Sequence, residues 1–335
     1  MSKSVTDTRR AQAHDWAGQV LGRLCTIASL AGDASFRRYF RLGCDGVHYV
    51  LMDAPPEHED VQPFVRVLGW MSQAGLRTPK LLARDEGLGF LLLEDFGDVT
   101  WAEHLRRGGD VAPLMRDALR QLSLLQAASP DRASPHLALA PFDVPRMQRE
   151  CDLYLDWYLP QVASCTPTRD ERERWHAALL PHIEELACLP RVPVHLDYHS
   201  RNLMLPSDGL PLGVIDFQDA VSGPLTYDLA SLLYDCYQDY PETQRRMISE
   251  VFFDSLPDAL RAGFDGFDGW HRLLRLTALQ RHIKAIGIFA RLAVRDGKRQ
   301  FLDEIPLTRK HLREEMLALD LPHGPFVLLL KEPLA

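Results

Sequence analysis

The stretch Val192-Pro-Val-His-Leu-Asp-Tyr-His-Ser-Arg-Asn-Leu-Met204, followed by Gly213-Val-Ile-Asp-Phe-Gln-Asp219, decides how this chain is read. Two apolar, strand-like runs, 193–195 and 212–215, each end in a burst of polar side chains. The first burst holds His195, Asp197, His199, Arg201 and Asn202; the second holds Asp216 and Asp219. Charge gathered where a hydrophobic strand stops is how a rigid scaffold presents reacting groups.

Working outward, the N-terminal part is β-rich. Residues 8–24 read as an amphipathic helix with Trp16, Val20, Leu21 and Leu24 on one side. Runs 36–42 and 48–52, joined by Gly43-Cys-Asp-Gly46, read as a hairpin. Pro55-Pro56 breaks the chain before a helix over 61–74, and 79–84 and 90–93 form a second hairpin around Asp85-Glu-Gly-Leu-Gly89. Beyond Glu94-Asp-Phe-Gly97 helical patterns dominate: 101–106, 112–128, 146–158, 169–187, 225–237, 242–256 and 271–294, with a Pro-containing loop over 130–145. The opening stretch is then a β island inside a helical half. The expected class is α+β: a β-rich lobe, residues 1–94, and a mainly helical lobe, residues 95–335, with a ligand crevice between them.

Composition narrows the function. The chain has 335 residues, 46% hydrophobic and 25% charged, enough for two lobes with proper cores. A net charge of −8 argues against a nucleic-acid or anionic-membrane surface, which needs a basic stripe. No window approaches a membrane span, and residues 1–19 are polar with no signal-like apolar core. Cys25, Cys44, Cys151, Cys165, Cys188 and Cys236 are scattered without a Cys-x-x-Cys pair, which reads as reduced thiols and not as a disulfide framework or zinc site. The expectation is a cytoplasmic, soluble monomer acting on a small molecule, with no nucleic-acid or membrane partner.

Phosphoryl transfer needs an acceptor for the attacking hydroxyl's proton, hard oxygens for Mg²⁺, and donors for the phosphates. His195-x-Asp197-x-x-x-x-Asn202, with Asp216 after a second apolar run, supplies the first two: Asp197 as base, Asn202 and Asp216 as metal ligands. His195 and His199 have the four-residue spacing of helical metal ligands. However, Val192-Pro-Val194 points to a strand, and His195 reads as a packed ring bracing the loop. Asp228 reads as a helix cap or a support for the catalytic loop.

With those residues in view, the chain resembles the aminoglycoside phosphotransferase and choline kinase-like family, relatives of the protein kinases. Ala31-Gly-Asp-Ala-Ser-Phe-Arg-Arg-Tyr-Phe40, Leu51-Met-Asp-Ala-Pro-Pro56 and Val214-Ile-Asp-Phe-Gln-Asp-Ala-Val221 are similar to stretches of bacterial anomeric amino-sugar kinases. The resemblance implies a bilobal protein-kinase-like fold, ATP with Mg²⁺, and phosphorylation of the C1 hydroxyl of N-acetylmuramate and N-acetylglucosamine in peptidoglycan recycling. It places Glu94 and Phe96 at the inter-lobe hinge beside the adenine. His199, Arg201, Gln218 and Asp219 are candidates for the sugar side, with Arg281 and His282 behind them.

Two departures from the family pattern stand out. Gly32-Asp-Ala-Ser-Phe-Arg-Arg38 lacks the three-glycine spacing of a phosphate-covering loop, leaving Ser35, Arg37, Arg38 and backbone N–H groups as candidate phosphate donors. Aligning Tyr49-Val-Leu-Met52 on the kinase strand puts Met52 where the phosphate-pairing lysine belongs. Val50 and Met52 then share one strand face and pack on the nucleotide without charge. Alternatives stay open: a kinase of the same family acting on an aminoglycoside, choline or homoserine, or a nucleotide-binding pseudokinase, for which Met52 is the support.

Overall fold

The computed structural model describes residues 3–30, 36–128, 138–322, 324 and 326–333. A five-stranded antiparallel sheet in the order β1-β2-β3-β5-β4 forms the N-terminal part: β1 (Thr26–Ser29), β2 (Arg38–Cys44), β3 (Val47–Asp53), β4 (Leu81–Asp85) and β5 (Phe90–Glu94). The β2–β3 hairpin turns on Asp45 (φ 51°) and Gly46 (φ 80°), the pair of left-handed residues that a tight two-residue hairpin turn needs. β1 was not expected; it is a short edge strand, three of whose four residues are exposed, so it shows no alternation.

Each sheet face meets its own helix. Phe40, Leu42, Leu51, Phe90 and Leu92 pack with Ala13 and Ala17 of α1 (Lys3–Leu21). Met52, Leu91 and Leu93 join the main core with Phe64, Val67 and Leu68 of α2 (Gln62–Gln73). Strand alternation therefore holds in β3: Val50 and Met52 lie on the main-core side, Tyr49 and Leu51 on the α1 side. The cysteine expectation needs correcting. Cys25 and Cys44 form a disulfide at the open end of the β1–β2 pair, with Cα atoms 4.5 Å apart. Nineteen residues separate them in sequence, and only the strand pairing brings them face to face.

Past β5 the chain is helical: α3 (Trp101–Arg106), α4 (Val111–Ala127), α5 (Val144–Leu153), α6 (Arg169–Ala187), α7 (Tyr227–Leu233), α8 (Glu242–Ser255), the long α9 (Gly266–Arg295) and α10 (Ile305–Ala318). α5 runs on into a π-helical turn, Tyr154–Tyr158, and a short final turn, Leu159–Gln161, so the helix expected over 146–158 changes its hydrogen-bonding midway. Gly287 of α9 sits against that turn so closely that a β-carbon there would lie 2.4 Å from the Leu153 carbonyl carbon. α9 is the central post of this half, packing on α5, α7 and α10.

The β island is present. β6 (Ala140–Pro141), β10 (Val221–Pro224) and β7 (Arg191–Val194) form one small sheet; β8 (Leu203–Met204) and β9 (Gly213–Val214) form another. Much of the expected loop over 130–145 lies outside the described residues. Two side chains of α4 fix the approach to β9: Asp117 accepts the Leu212 N–H at 2.7 Å, and Gln121 donates to the Leu212 carbonyl at 2.7 Å while accepting the Arg77 N–H at 2.9 Å. The sheet half and the β island are thereby referenced to one helix.

Candidate active site

β7 delivers the chain into the loop at 195–202, and buried acceptors hold that loop from behind. Asp228, in the first turn of α7, accepts the backbone N–H of His195 at 2.7 Å and of Leu196 at 3.1 Å. Leu196 is held at φ 78°, a left-handed conformation that a leucine keeps only where its surroundings over-determine it. Tyr198, fully buried, donates to the Ala118 carbonyl at 2.8 Å, and the Ser200 N–H donates to Asp235 at 2.9 Å. The His195 ring lies 3.0 Å from the Ile215 carbonyl, bracing one polar burst against the other. Both supporting roles expected for His195 and Asp228 are what the structure shows.

Three candidate residues meet at this point. The Asn202 amide nitrogen donates to the Asp197 carbonyl at 3.0 Å and to the Asp216 carboxylate at 3.4 Å. With its nitrogen so placed, the Asn202 side-chain oxygen is left as an acceptor beside Asp216. Asp216 sits at φ 63°, which aspartate tolerates better than other residues, and Gln218 donates to it at 2.8 Å. One carboxylate and one amide oxygen are the sparse, hard donor set that Mg²⁺ uses when phosphates and water complete its shell. Among the described residues no three His, Cys, Asp or Glu side chains gather as a metal site.

Electrostatics set Asp197 apart. Burial pushes its carboxyl up, but the charges of Lys284, His199, Arg281 and His195 outweigh that and hold it below the usual carboxylate range. Burial pulls His199 down, and its ring stands edge-on to Tyr237 with centroids 5.1 Å apart. Lys284 was not singled out from the sequence. It lies in the expected helix, and its one signal was a lysine among the buried positions of that helix. Its ammonium is 3.4 Å from Glu150 and 3.5 Å from the Tyr227 hydroxyl. His282 is structural, with its ring on the Tyr234 carbonyl at 2.9 Å; Arg281 is buried with its guanidinium over Tyr227.

The upper side of the site is less convergent. Ser35 lies outside the described residues. Arg38 pairs with the buried Asp53, which also takes Arg9 at 2.7 Å, while Arg37 lies partly buried beside it. Met52 is fully buried and Val50 half-buried, so neither brings charge to the site. The Glu94 carboxylate is held by the Arg77 guanidinium at 2.7 and 2.8 Å, which keeps it below its usual range, so its side chain is engaged away from any adenine. Phe96 is buried, with the Arg77 guanidinium 4.7 Å above its ring and Gly213 against its face. Gln218 and Asp219 line a cleft of about 320 Å³ shared with Arg66, Val67, Leu139 and Arg146. On the loop itself, Arg201 stacks on Tyr237 and pairs with Glu304, a partner absent from the sequence reading.

Residues 26–273 match the phosphotransferase enzyme family. A Pseudomonas aeruginosa protein named N-acetylmuramate/N-acetylglucosamine kinase is 38% identical over 84% of this chain and 81% of its own length. A Neisseria meningitidis protein of the same name is 36% identical over 84% of this chain and 83% of its own. Among solved structures, an ADP-bound aminoglycoside phosphotransferase superposes with a TM-score of 0.58 at 14% identity, covering 91% of this chain and 98% of that one.

Proposed function

This chain belongs to the phosphotransferase enzyme family, and from that premise we propose that it transfers the γ-phosphoryl group of ATP to the C1 hydroxyl of N-acetylmuramate and N-acetylglucosamine. The observation that carries the reading is the meeting of Asp197, Asn202 and Asp216 through one shared amide, in a chain whose relatives carry that double sugar name. In this reading residues 1–94 hold the nucleotide and residues 95–335 hold the metal and the acceptor. The protein works as a cytoplasmic monomer returning cell-wall amino sugars to metabolism. No helix of the described residues is long and apolar enough to cross a membrane.

Each residue's work follows from its surroundings. Asp197, kept ionised by neighbouring cations, orients the sugar hydroxyl and accepts its proton as the bond to phosphorus forms. Asn202 and Asp216 hold Mg²⁺, which when bound neutralises phosphate oxygens. Arg37 and Arg38, with Ser35 and the hairpin backbone, neutralise phosphate in place of the lysine that Met52 replaces. Val50 packs on the adenine, with Met52 buried behind it in the core, and the hinge backbone at Glu94 and Phe96 bonds its edge. His199, Gln218 and Asp219 face the sugar.

The test is transfer of labelled phosphate from ATP to a panel of N-acetylmuramate, N-acetylglucosamine, choline, homoserine and kanamycin. Labelled sugar 1-phosphate, lost on mild acid treatment as an anomeric phosphate is, supports the reading; transfer only to another acceptor overturns it.

A further inference from the structure

Three clusters of cations lie around the catalytic loop, and they differ in what they have left to give. Lys284 is engaged by Glu150 at 3.4 Å and has its side chain only 12% exposed. Arg281 is 6% exposed, and its Nε and Nη1, though without a hydrogen-bond partner among the described residues, are buried. Arg66 and Arg146 sit in the cleft beside Gln218, bonded to Gln62 at 3.2 Å and paired with Glu150 at 3.5 Å. Arg201 is different. It stands on the catalytic loop itself with its side chain 41% exposed.

The Arg201 guanidinium is held in place before any ligand arrives. Its carbon lies 3.7 Å from the Tyr237 ring centroid, and Nη2 donates to Glu304 at the start of α10. Tyr237 is itself fixed, its N–H on Asp235 at 2.8 Å and its ring against His199 and Phe289. The Nε–H and Nη1–H groups carry no partner among the described residues. A planar fork with donors to spare matches a carboxylate as a lysine ammonium does not.

Resting on the sugar-kinase reading, we infer that Arg201 is the specificity residue that takes the lactyl carboxylate of N-acetylmuramate. N-acetylmuramate is N-acetylglucosamine carrying a lactyl ether, so the two acceptors differ by one carboxylate. Glu304 explains how one site serves both. With the neutral sugar bound, Glu304 leaves no uncompensated cation in a drying cleft; with the acidic sugar bound, the spare N–H groups add a charge-assisted pair.

The experiment compares wild type and Arg201→Gln on three acceptors: N-acetylmuramate, its neutral methyl ester, and N-acetylglucosamine. Wild type is expected to favour the acid over the ester by roughly 10- to 100-fold in kcat/KM, the size of a charge-assisted hydrogen-bond pair. In Arg201→Gln the acid and ester should become equal, with the acid losing roughly tenfold or more beyond any loss on N-acetylglucosamine and ATP KM unmoved. Equal wild-type use of acid and ester overturns the inference even if the variant does not fold. An equal loss on all three acceptors, or loss of discrimination in Arg66→Gln or Arg146→Gln in place of Arg201→Gln, overturns it as well. Failure of wild type on every sugar would instead remove the function on which the inference rests.

Discussion

The catalytic loop and the β1–β3 hairpins hold charge in opposite ways. In the loop, buried side chains spend their polar atoms on backbone: Asp228 accepts from His195 and Leu196, Asp235 accepts from Ser200, and the His195 ring nitrogen reaches the Ile215 carbonyl. The chain is pinned without use of the Asp197 carboxylate. In the hairpins, charged side chains pair with one another: the partly exposed Arg38 and Arg9 with the buried Asp53, and Arg41 with the buried Asp95 carboxylate and the exposed Asp98. Backbone bonded to buried acceptors is fixed in position, whereas an arginine partly open to water can exchange one partner for another. On the proposed reading, a proton and a metal ion need the first arrangement, and a triphosphate tail that arrives and leaves suits the second.

The sharpest way to break this comparison is Asp197→Asn. It removes the proton acceptor from a frame that should survive, so kcat should fall by at least ~10²–10⁴-fold with nucleotide affinity intact. Single-turnover phosphate transfer together with ATP-analogue titration reads both. Wild-type turnover would take Asp197 out of its role.

Asp228→Asn tests the pinning itself. The amide can accept only one of the two N–H groups, so stability should drop by about 1–3 kcal/mol in chemical denaturation. The pH dependence should change too. Burial pushes Asp228 up to about 6, opposed by His195 and the two backbone N–H groups. Unfolded, the carboxyl titrates near ~4. Between those values the folded chain holds the extra proton, so this group's share of stability falls as pH rises through the window and is flat above it. Asp228→Asn should flatten that slope, and an unchanged slope would mean that another group produces it.

On the hairpin side, replacing Arg37 and Arg38 together by Ala should raise the ATP KM by roughly tenfold while the sugar KM holds, as loss of a charge-assisted phosphate contact would. An unchanged ATP KM would leave the missing strand lysine without a substitute. Smallest of all, Asp98→Ala should cost about 1 kcal/mol or less of stability, less still at high salt, because this partner of Arg41 is open to water. A larger loss, insensitive to salt, would show that the hairpin is fixed as firmly as the loop.

The same division explains what could be read in advance. Asp197, Asn202 and Asp216 were visible because short strands with clear apolar runs deliver them. The helix α10 was not, because Thr308, Arg309, His311 and Glu315 stand among its buried positions and blur the apolar period. Glu304, at its entrance, was missed with it, and so was half of the Arg201 pair. Lys284 and the Cys25–Cys44 disulfide depend on which elements become neighbours, and no local spacing encodes that. Glu94 was expected at a hinge from resemblance, and the capture of its side chain by Arg77 had no local signal.

Gly213 gives the molecule a mechanical property. It is the first residue of β9, the strand that leads to Asp216, and the Phe96 ring lies so flat on it that a β-carbon would stand 2.3 Å from that ring. Phe96 belongs to the segment by which the chain leaves the five-stranded sheet. The two halves therefore meet here by an aromatic plate laid on bare backbone, beside the Val214 N–H bond to the Arg77 carbonyl at 2.8 Å. The ring lies that close only because position 213 has no side chain, and a single methyl group there would act as a wedge between them.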